Sequence, residues 1–208
     1  MVTGTTTPRR PPSGSQARAQ RSRRIVVEET VRYILEEGFP PPSVRRITER
    51  AGLTWGAVQY HFGDLNGILM AVVDAGFAEV LETLDTVAAH APGISGEERP
   101  AYVVDAVWQA FSRPASIAAM QILIATRGDR PAAANARLAD MAERITQIGQ
   151  HLSPDLDAAL ARRLGNLVWT TIRGMVTVQM LWPEPFDSSR DRQMLVEVIS
   201  AFLAARRR

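Results

Sequence analysis

Cysteine is absent from the 208-residue chain, and so is lysine, because all 24 basic residues are arginine. Without thiols there can be no disulfide, no thiolate nucleophile and no cysteine-rich zinc site, so packing alone must hold the fold. The missing lysine carries no functional weight. Long hydrophobic runs are also missing. Charges interrupt the apolar stretches every few residues, well short of the roughly 18 to 20 apolar residues that a spanning helix needs. The chain opens Met-Val-Thr-Gly, with no apolar segment of the secretory kind, and a cytoplasmic protein is expected. No glycine-rich phosphate loop, no Gly-x-Ser-x-Gly elbow and no His-Glu-x-x-His occurs. The histidines, His61, His90 and His151, have no ligand-like spacing. An enzyme is therefore not expected, and neither is a metal or other cofactor.

What is present is a hydrophobic content of 46%, enough for a core in one large domain or two modest ones. The net charge is only +2, but it is unevenly distributed. Residues 1 to 63 contain ten arginines against five glutamates, which leaves the remainder of the chain mildly acidic. A basic end on an acidic body is the charge layout of a phosphate-contacting head carried by a separate scaffold.

Residues 1–20 are rich in Thr, Pro, Ser, Gly and Arg and have almost no large apolar side chain, so they read as a disordered basic arm. It is either an inert tail or a source of additional phosphate contacts. From Ser22 the pattern turns helical, with Val27, Val31, Ile34 and Leu35 on one face, until Gly38 and Pro40–Pro42 end it. Ser43 is placed to cap a short helix whose buried stripe is Val44, Ile47 and Ala51. Gly52 permits a sharp turn, and Thr54 caps a third helix running to about Phe62. A long apolar helix is expected from Leu65 to about Ala89. Further helices are expected at roughly 98–112, 115–127, 131–151, 154–181 and 189–206, with breaks at Pro114, Gly128, Pro131, Pro154 and Pro183 to Pro185. No stretch alternates with period two for long enough to be a strand. The expected architecture is all-α. A helix-turn-helix head at 21–64 follows the arm, and a larger helical domain for ligand binding and dimerisation occupies 65–208.

The segment Ser43 to Phe62 carries the functional signal. Two short helices joined at Gly52-Leu53, with apolar residues at 44, 47, 51, 53, 58 and 62, pack steeply as in a helix-turn-helix, whose second helix reads the major groove. Val44, Ile47, Ala51-Gly52-Leu53-Thr54, Trp55-Gly56-Ala57, Val58-Gln59-Tyr60-His61-Phe62, then Leu65, Ile68 and Leu69, resemble the DNA-reading unit of the TetR family of regulators over about residues 24–70. Two positions depart from the family pattern. Gln59 stands where a phosphate-contacting Tyr is common, and Leu65 where a Lys is usual, which leaves backbone anchoring to Arg45, Arg46 or the arm.

On helical spacing, the outer face of the third helix comprises Thr54, Trp55, Gly56, Gln59 and Tyr60, while Val58 and Phe62 turn inward. Gln59 can pair bidentately with adenine, and Trp55 can cover a thymine methyl. Gly56 admits close backbone approach. Arg45 is positioned for a guanine edge or a phosphate. The resemblance implies phosphate contacts for Tyr60 and His61, although His61 beside Phe62 can equally serve the local fold.

The resemblance further implies a homodimer formed by the last two helices as a four-helix bundle. Leu164, Val168 and Met175 on one helix and Leu195, Val198 and Phe202 on the other are the candidate dimerisation residues. A two-fold dimer doubles the contacts that one short reading helix can make on a palindromic site. Trp108, Met120, Met141 and Trp169 are candidates to line an apolar cavity for a small-molecule effector, with Gln121, Thr170 and Arg173 supplying polar contacts. Arg173 lies in an otherwise apolar stretch and must find an acid, reach solvent or face an anionic ligand. The function expected is a ligand-responsive transcriptional regulator, a repressor by analogy with the family, with double-stranded DNA, its own copy and an effector as partners. The alternative is a helical small-molecule or protein-binding module without specific DNA binding.

Overall fold

The computed structural model describes residues 12–38, 43–128, 132–182, 184 and 186–206, and every regular element among them is helical. The proline breaks expected at Pro40–Pro42, Pro131, Pro183 and Pro185 lie outside these residues, as does the stretch 1–11 of the expected arm. The helices are α1 (Pro12–Glu37), α2 (Val44–Ala51), α3 (Trp55–Phe62), α4 (Leu65–His90), α5 (Arg99–Phe111), α6 (Pro114–Ala125), α7 (Ala132–Thr146), α8 (Ala158–Leu181) and α9 (Ser189–Arg206). No helix among the described residues is long and apolar enough to cross a membrane. The chain divides into two compact units, Met1–Ala71 and Val72–Arg208, the division falling inside α4.

In the first unit α1 begins at Pro12, so residues 12–20 are helical and not part of an arm. The physical reason is local. Proline suits the first helical turn, and the Gln-Ala-Arg-Ala-Gln-Arg run that follows consists of strong helix formers needing no core to support them. The buried face of α1 is also rotated from the expected one. Val26, Thr30, Val31, Tyr33 and Ile34 are buried, whereas Val27 is half-buried and Leu35 is exposed. Thr30 is tolerated inside because its hydroxyl donates to the Val26 carbonyl at 2.7 Å.

The turn chemistry accounts for the two short helices. Ser43 Oγ accepts from the Arg46 backbone N–H at 3.3 Å and starts α2. Gly52, at φ +63°, ends it in the left-handed conformation, its N–H donating to the Glu49 and Thr48 carbonyls. Thr54 Oγ1 accepts from Ala57 N–H at 3.4 Å to open α3. Asp64 Oδ1 accepts from Gly67 N–H at 2.8 Å at the head of α4. Val26, Ile47, Val58 and Ile68 form a small core, with Ala51, Leu53, Phe62 and Leu65 around it. Polar contacts supplement so small a core. Arg50 bonds Glu36 at 2.6 Å and lies 3.6 Å from both Glu29 and Glu37. Arg46 donates to the Tyr33 hydroxyl and to Glu37, both at 2.8 Å.

The second unit comprises α4 from Val72 onward and helices α5 to α9 around a larger core that includes Val80, Val103, Val107, Ile145, Leu164, Val168, Ile172 and Ile199. The helix expected at 131–151 ends at Thr146 and tightens into a 3-10 turn over Gln147–His151. That turn crosses α8 backbone to backbone. A Cβ at Gly149 would collide with the Ala161 carbonyl, and one at Gly165 with the Thr146 carbonyl, so only glycine allows this approach. α8 starts at Ala158 and not at 154, because Asp157 is its cap, accepting from Leu160 N–H at 2.8 Å.

Candidate nucleic-acid interface and ligand cavity

α3 is held in the first unit by Val58, which is fully buried, and by Phe62, which is half-buried. This fixes its outward side. Thr54, Trp55, Gly56 and Gln59 are exposed, and Tyr60 is 85% exposed, an unusual position for a large aromatic ring with no partner surface. Gly56 is informative by what surrounds it. An added Cβ would meet nothing within 4 Å, so no packing among the described residues requires glycine in this first turn of α3. Glycine there costs about 0.4 to 1 kcal/mol relative to alanine through the freer unfolded chain, and it leaves bare backbone on the open face.

The end of α3 is anchored by a residue that pattern reading overlooked. Arg23 on α1 donates to the His61 carbonyl at 3.3 Å and sits 5.0 Å above the Phe62 ring. A cation at a helix C-terminus matches the partial negative charge there. His61 is half-buried, its ring edge-on to Tyr60 at 5.2 Å and to Phe62 at 6.3 Å. Arg45 is exposed and forms an ion pair with Glu49 at 2.8 Å, whose hydrogen bond and charge raise its pKa above the usual arginine value. Arg46 is likewise raised, first by its bond to Tyr33 and then by the Glu37 charge. Its guanidinium, 5.4 Å from the Tyr33 ring, is engaged within the unit and must leave those partners to reach a phosphate. Arg18, Arg21 and Arg24 are exposed on α1, so Arg18, expected in the arm, stands on this helix.

The second unit contains a cavity of about 730 Å3. Four of the expected residues, Met141, Trp169, Thr170 and Arg173, line it together with Phe77, Phe111, Leu123 and Arg127. Met120 instead borders a much smaller void. Trp108 and Gln121 line neither of these two. The Trp108 ring is covered by the Arg192 guanidinium at 4.4 Å, and its carbonyl accepts from Ser112 Oγ. Phe77 and Phe111 carried no sequence signal, since they belong to helices distant in the chain. Burial pulls Arg173 below the usual arginine range. Among the described residues, no cluster of His, Asp or Glu is placed to hold a metal ion.

Of the candidate dimerisation residues, Leu164 and Val168 are buried in the core of this unit, so they do not form an outer face, while Leu195, also largely buried, lines the groove between α8 and α9. The reason is that α8 carries two apolar faces, and periodicity cannot say which one is covered by its own chain. The uncovered face runs through Leu167, Met175, Met194, Val198 and Phe202. Met194 is 57%, Val198 53% and Leu167 43% exposed, and a groove of about 480 Å3 runs between α8 and α9.

The sequence matches no family model and no curated protein. Solved structures are similar. A Mesorhizobium loti protein assigned to the TetR-family transcriptional regulators superposes with a TM-score of 0.70 at 14% identity, covering 90% of this chain and 98% of its own. A transcriptional regulator from Streptomyces coelicolor A3(2) gives 0.56 at 25% identity, covering 87% and 97%. NalD, the secondary repressor of the MexAB-OprM multidrug efflux pump in Pseudomonas aeruginosa, gives 0.59 at 18% identity, covering 88% and 95%.

Proposed function

We propose that this chain, which has the all-helical fold of the TetR-family regulators, is a DNA-binding transcriptional regulator that acts as a homodimer and responds to a small molecule. The observation that carries the reading is the outer side of α3. Trp55, Gln59 and Tyr60 stand exposed beside a first-turn glycine that no packing in the described residues requires, on the second helix of a helix-turn-helix. Such a surface suits the major groove, with Gln59 for a base edge and Tyr60, His61 and Arg45 for phosphates. Arg18 and Arg21 add exposed positive charge.

Homodimerisation is supported by the apolar strip of Leu167, Met175, Met194, Val198 and Phe202, a run of side chains that monomers seldom leave in water. Repression is the regulatory sign favoured by the likeness to NalD, which is a repressor. Effector action requires a ligand that binds the DNA-competent and incompetent states unequally. α4 is the covalent link for such coupling, since it contributes Ile68 to the core of the head and Phe77 to the wall of the cavity.

Electrophoretic shift against a library of palindromic duplexes tests the reading. Saturable, sequence-dependent retention is expected. Weak retention erased by moderate salt favours the helical binding module instead. Within a recovered site, Gln59→Ala is expected to relax preference at one position per half-site, costing about 1 to 3 kcal/mol. A uniform loss over all sequences would show that Gln59 reads no base.

A further inference from the structure

The cavity of the second unit is chemically one-sided. Phe77, Phe111, Leu123 and Met141 give it apolar walls, and two guanidinium groups, Arg127 and Arg173, line it. None of its described lining residues is a carboxylate. Arg173 belongs to no ion pair among the described residues. Its neighbours are ring faces, Trp169 at 5.6 Å and Phe111 at 5.8 Å from the guanidinium carbon. The indole Nε1–H of Trp169 is buried with no acceptor. The Thr170 hydroxyl already gives its proton to the Asn166 carbonyl at 2.8 Å.

A buried charge without a counter-charge is costly, and a buried donor without an acceptor forfeits a hydrogen bond. Here an arginine partly withdrawn from water and a fully buried donor occur on one helix, four residues apart, at the wall of a cavity large enough for a drug-sized molecule. An incoming anion would give Arg173 a counter-charge, and a turn of the Trp169 ring would bring its buried N–H to the same group. A lipophilic cation would meet two guanidinium groups and no opposite charge, and a neutral apolar molecule would bury Arg173 further while leaving it unpaired.

We propose that the cavity binds a lipophilic monocarboxylate. Its carboxylate pairs with the Arg173 guanidinium, the Trp169 indole N–H is a second donor, and the alkyl or aromatic body lies along Phe77, Phe111 and Met141. This names the effector class for the sensing role proposed above, and it rests on that reading only for the consequence of binding.

The test uses the full chain and a matched set of ten-carbon ligands, decanoate, decanol and decyltrimethylammonium, titrated at neutral pH below their micellar concentrations and followed by calorimetry. Saturable binding of one decanoate per chain is expected, at least about tenfold tighter than decanol, equivalent to about 1.4 kcal/mol. The cation is expected not to bind. Arg173→Gln should weaken decanoate by about tenfold or more and leave decanol nearly unchanged. Arg163→Gln, at an exposed arginine of α8 outside the cavity, should change neither. Trp169→Phe keeps the ring, and a several-fold loss for decanoate alone is expected. Circular dichroism confirms that each variant is folded, and Arg173→Lys, which retains the charge, provides a second reading if the Gln variant is not. Substituting 2-naphthoate distinguishes an aromatic from an alkyl body, and tighter binding of either acid than of its neutral analogue supports the proposal. Decanol or the cation binding as well as decanoate, no acid binding at all, or an unchanged decanoate affinity in a folded Arg173→Gln chain overturns it. These outcomes are independent of DNA. A chain that binds decanoate through Arg173 and shifts no duplex ends the regulator reading alone, whereas one that shifts a palindrome and ignores the charge of the ligand ends this proposal alone.

Discussion

Arg50 in the first unit and Arg173 in the second are both arginines set on helices and partly withdrawn from water, yet their surroundings are opposite. Arg50 has Glu29, Glu36 and Glu37 within 3.6 Å, and the hydrogen bond to Glu36 leads in holding its pKa above the usual value. Arg173 has aromatic faces and a cavity, and burial alone pulls its pKa down. The first is a clamp that completes a small core, and its partners come from its own chain. The second has the character of a binding group, because what would satisfy it is not among its neighbours.

Substitutions can break or sharpen this contrast. The largest effect is expected from Ile47→Ala, in the small core that the Arg50 clamp supplements. A loss of about 2 to 5 kcal/mol in urea unfolding, with decanoate binding retained, would show the head failing by itself. Joint loss of both properties would mean that the units do not fold independently. Arg50→Met comes next. It leaves Glu36 without its cation while Glu29 keeps Arg32 and Glu37 keeps Arg46, and a loss of about 1 to 3 kcal/mol is expected, below the range for fully buried pairs because the site is partly solvated. Arg173→Met should go the other way. No loss and a gain of up to about 1 kcal/mol are expected in the same assay, since an unpaired charge is replaced by an apolar chain while its ring contacts are forfeited. A clear destabilisation would mean that Arg173 is structural after all. The smallest effect belongs to Gly56→Ala, a gain of about 0.4 to 1 kcal/mol in stability with weakened retention of a palindromic duplex. Equal duplex affinity for this variant would remove the case for close backbone approach at that position.

Different parts of the molecule were legible to different degrees. The turn-and-cap signals at Ser43, Gly52 and Thr54 act within four residues, so sequence alone locates α2 and α3 and the side of α3 that Val58 turns away from the core. The sequence pattern places the start of α1 too late, because a polar run looks unable to fold, although Gln, Ala and Arg sustain a helix by propensity. Its buried face lies about one residue from the expected one, because Thr30 and Tyr33 are polar by type and buried by virtue of their bonds to the Val26 carbonyl and Arg46. Arg23 gave no signal at all, being one arginine among several until α3 places the His61 carbonyl beside it.

Local chemistry thus determined the helices, their caps and the all-α class, because those depend on neighbours a few positions away. Only the tertiary structure decided which apolar stripes are core. Leu164, Val168 and Leu195 went inside, while Leu167, Met194 and Val198 stayed in water, because residues of equal hydrophobicity are separated only by what packs over them. The cavity was decided in the same way. Phe77, Phe111, Met141 and Arg173 lie on four different helices, and a void between helices exists only once the chain has brought them together.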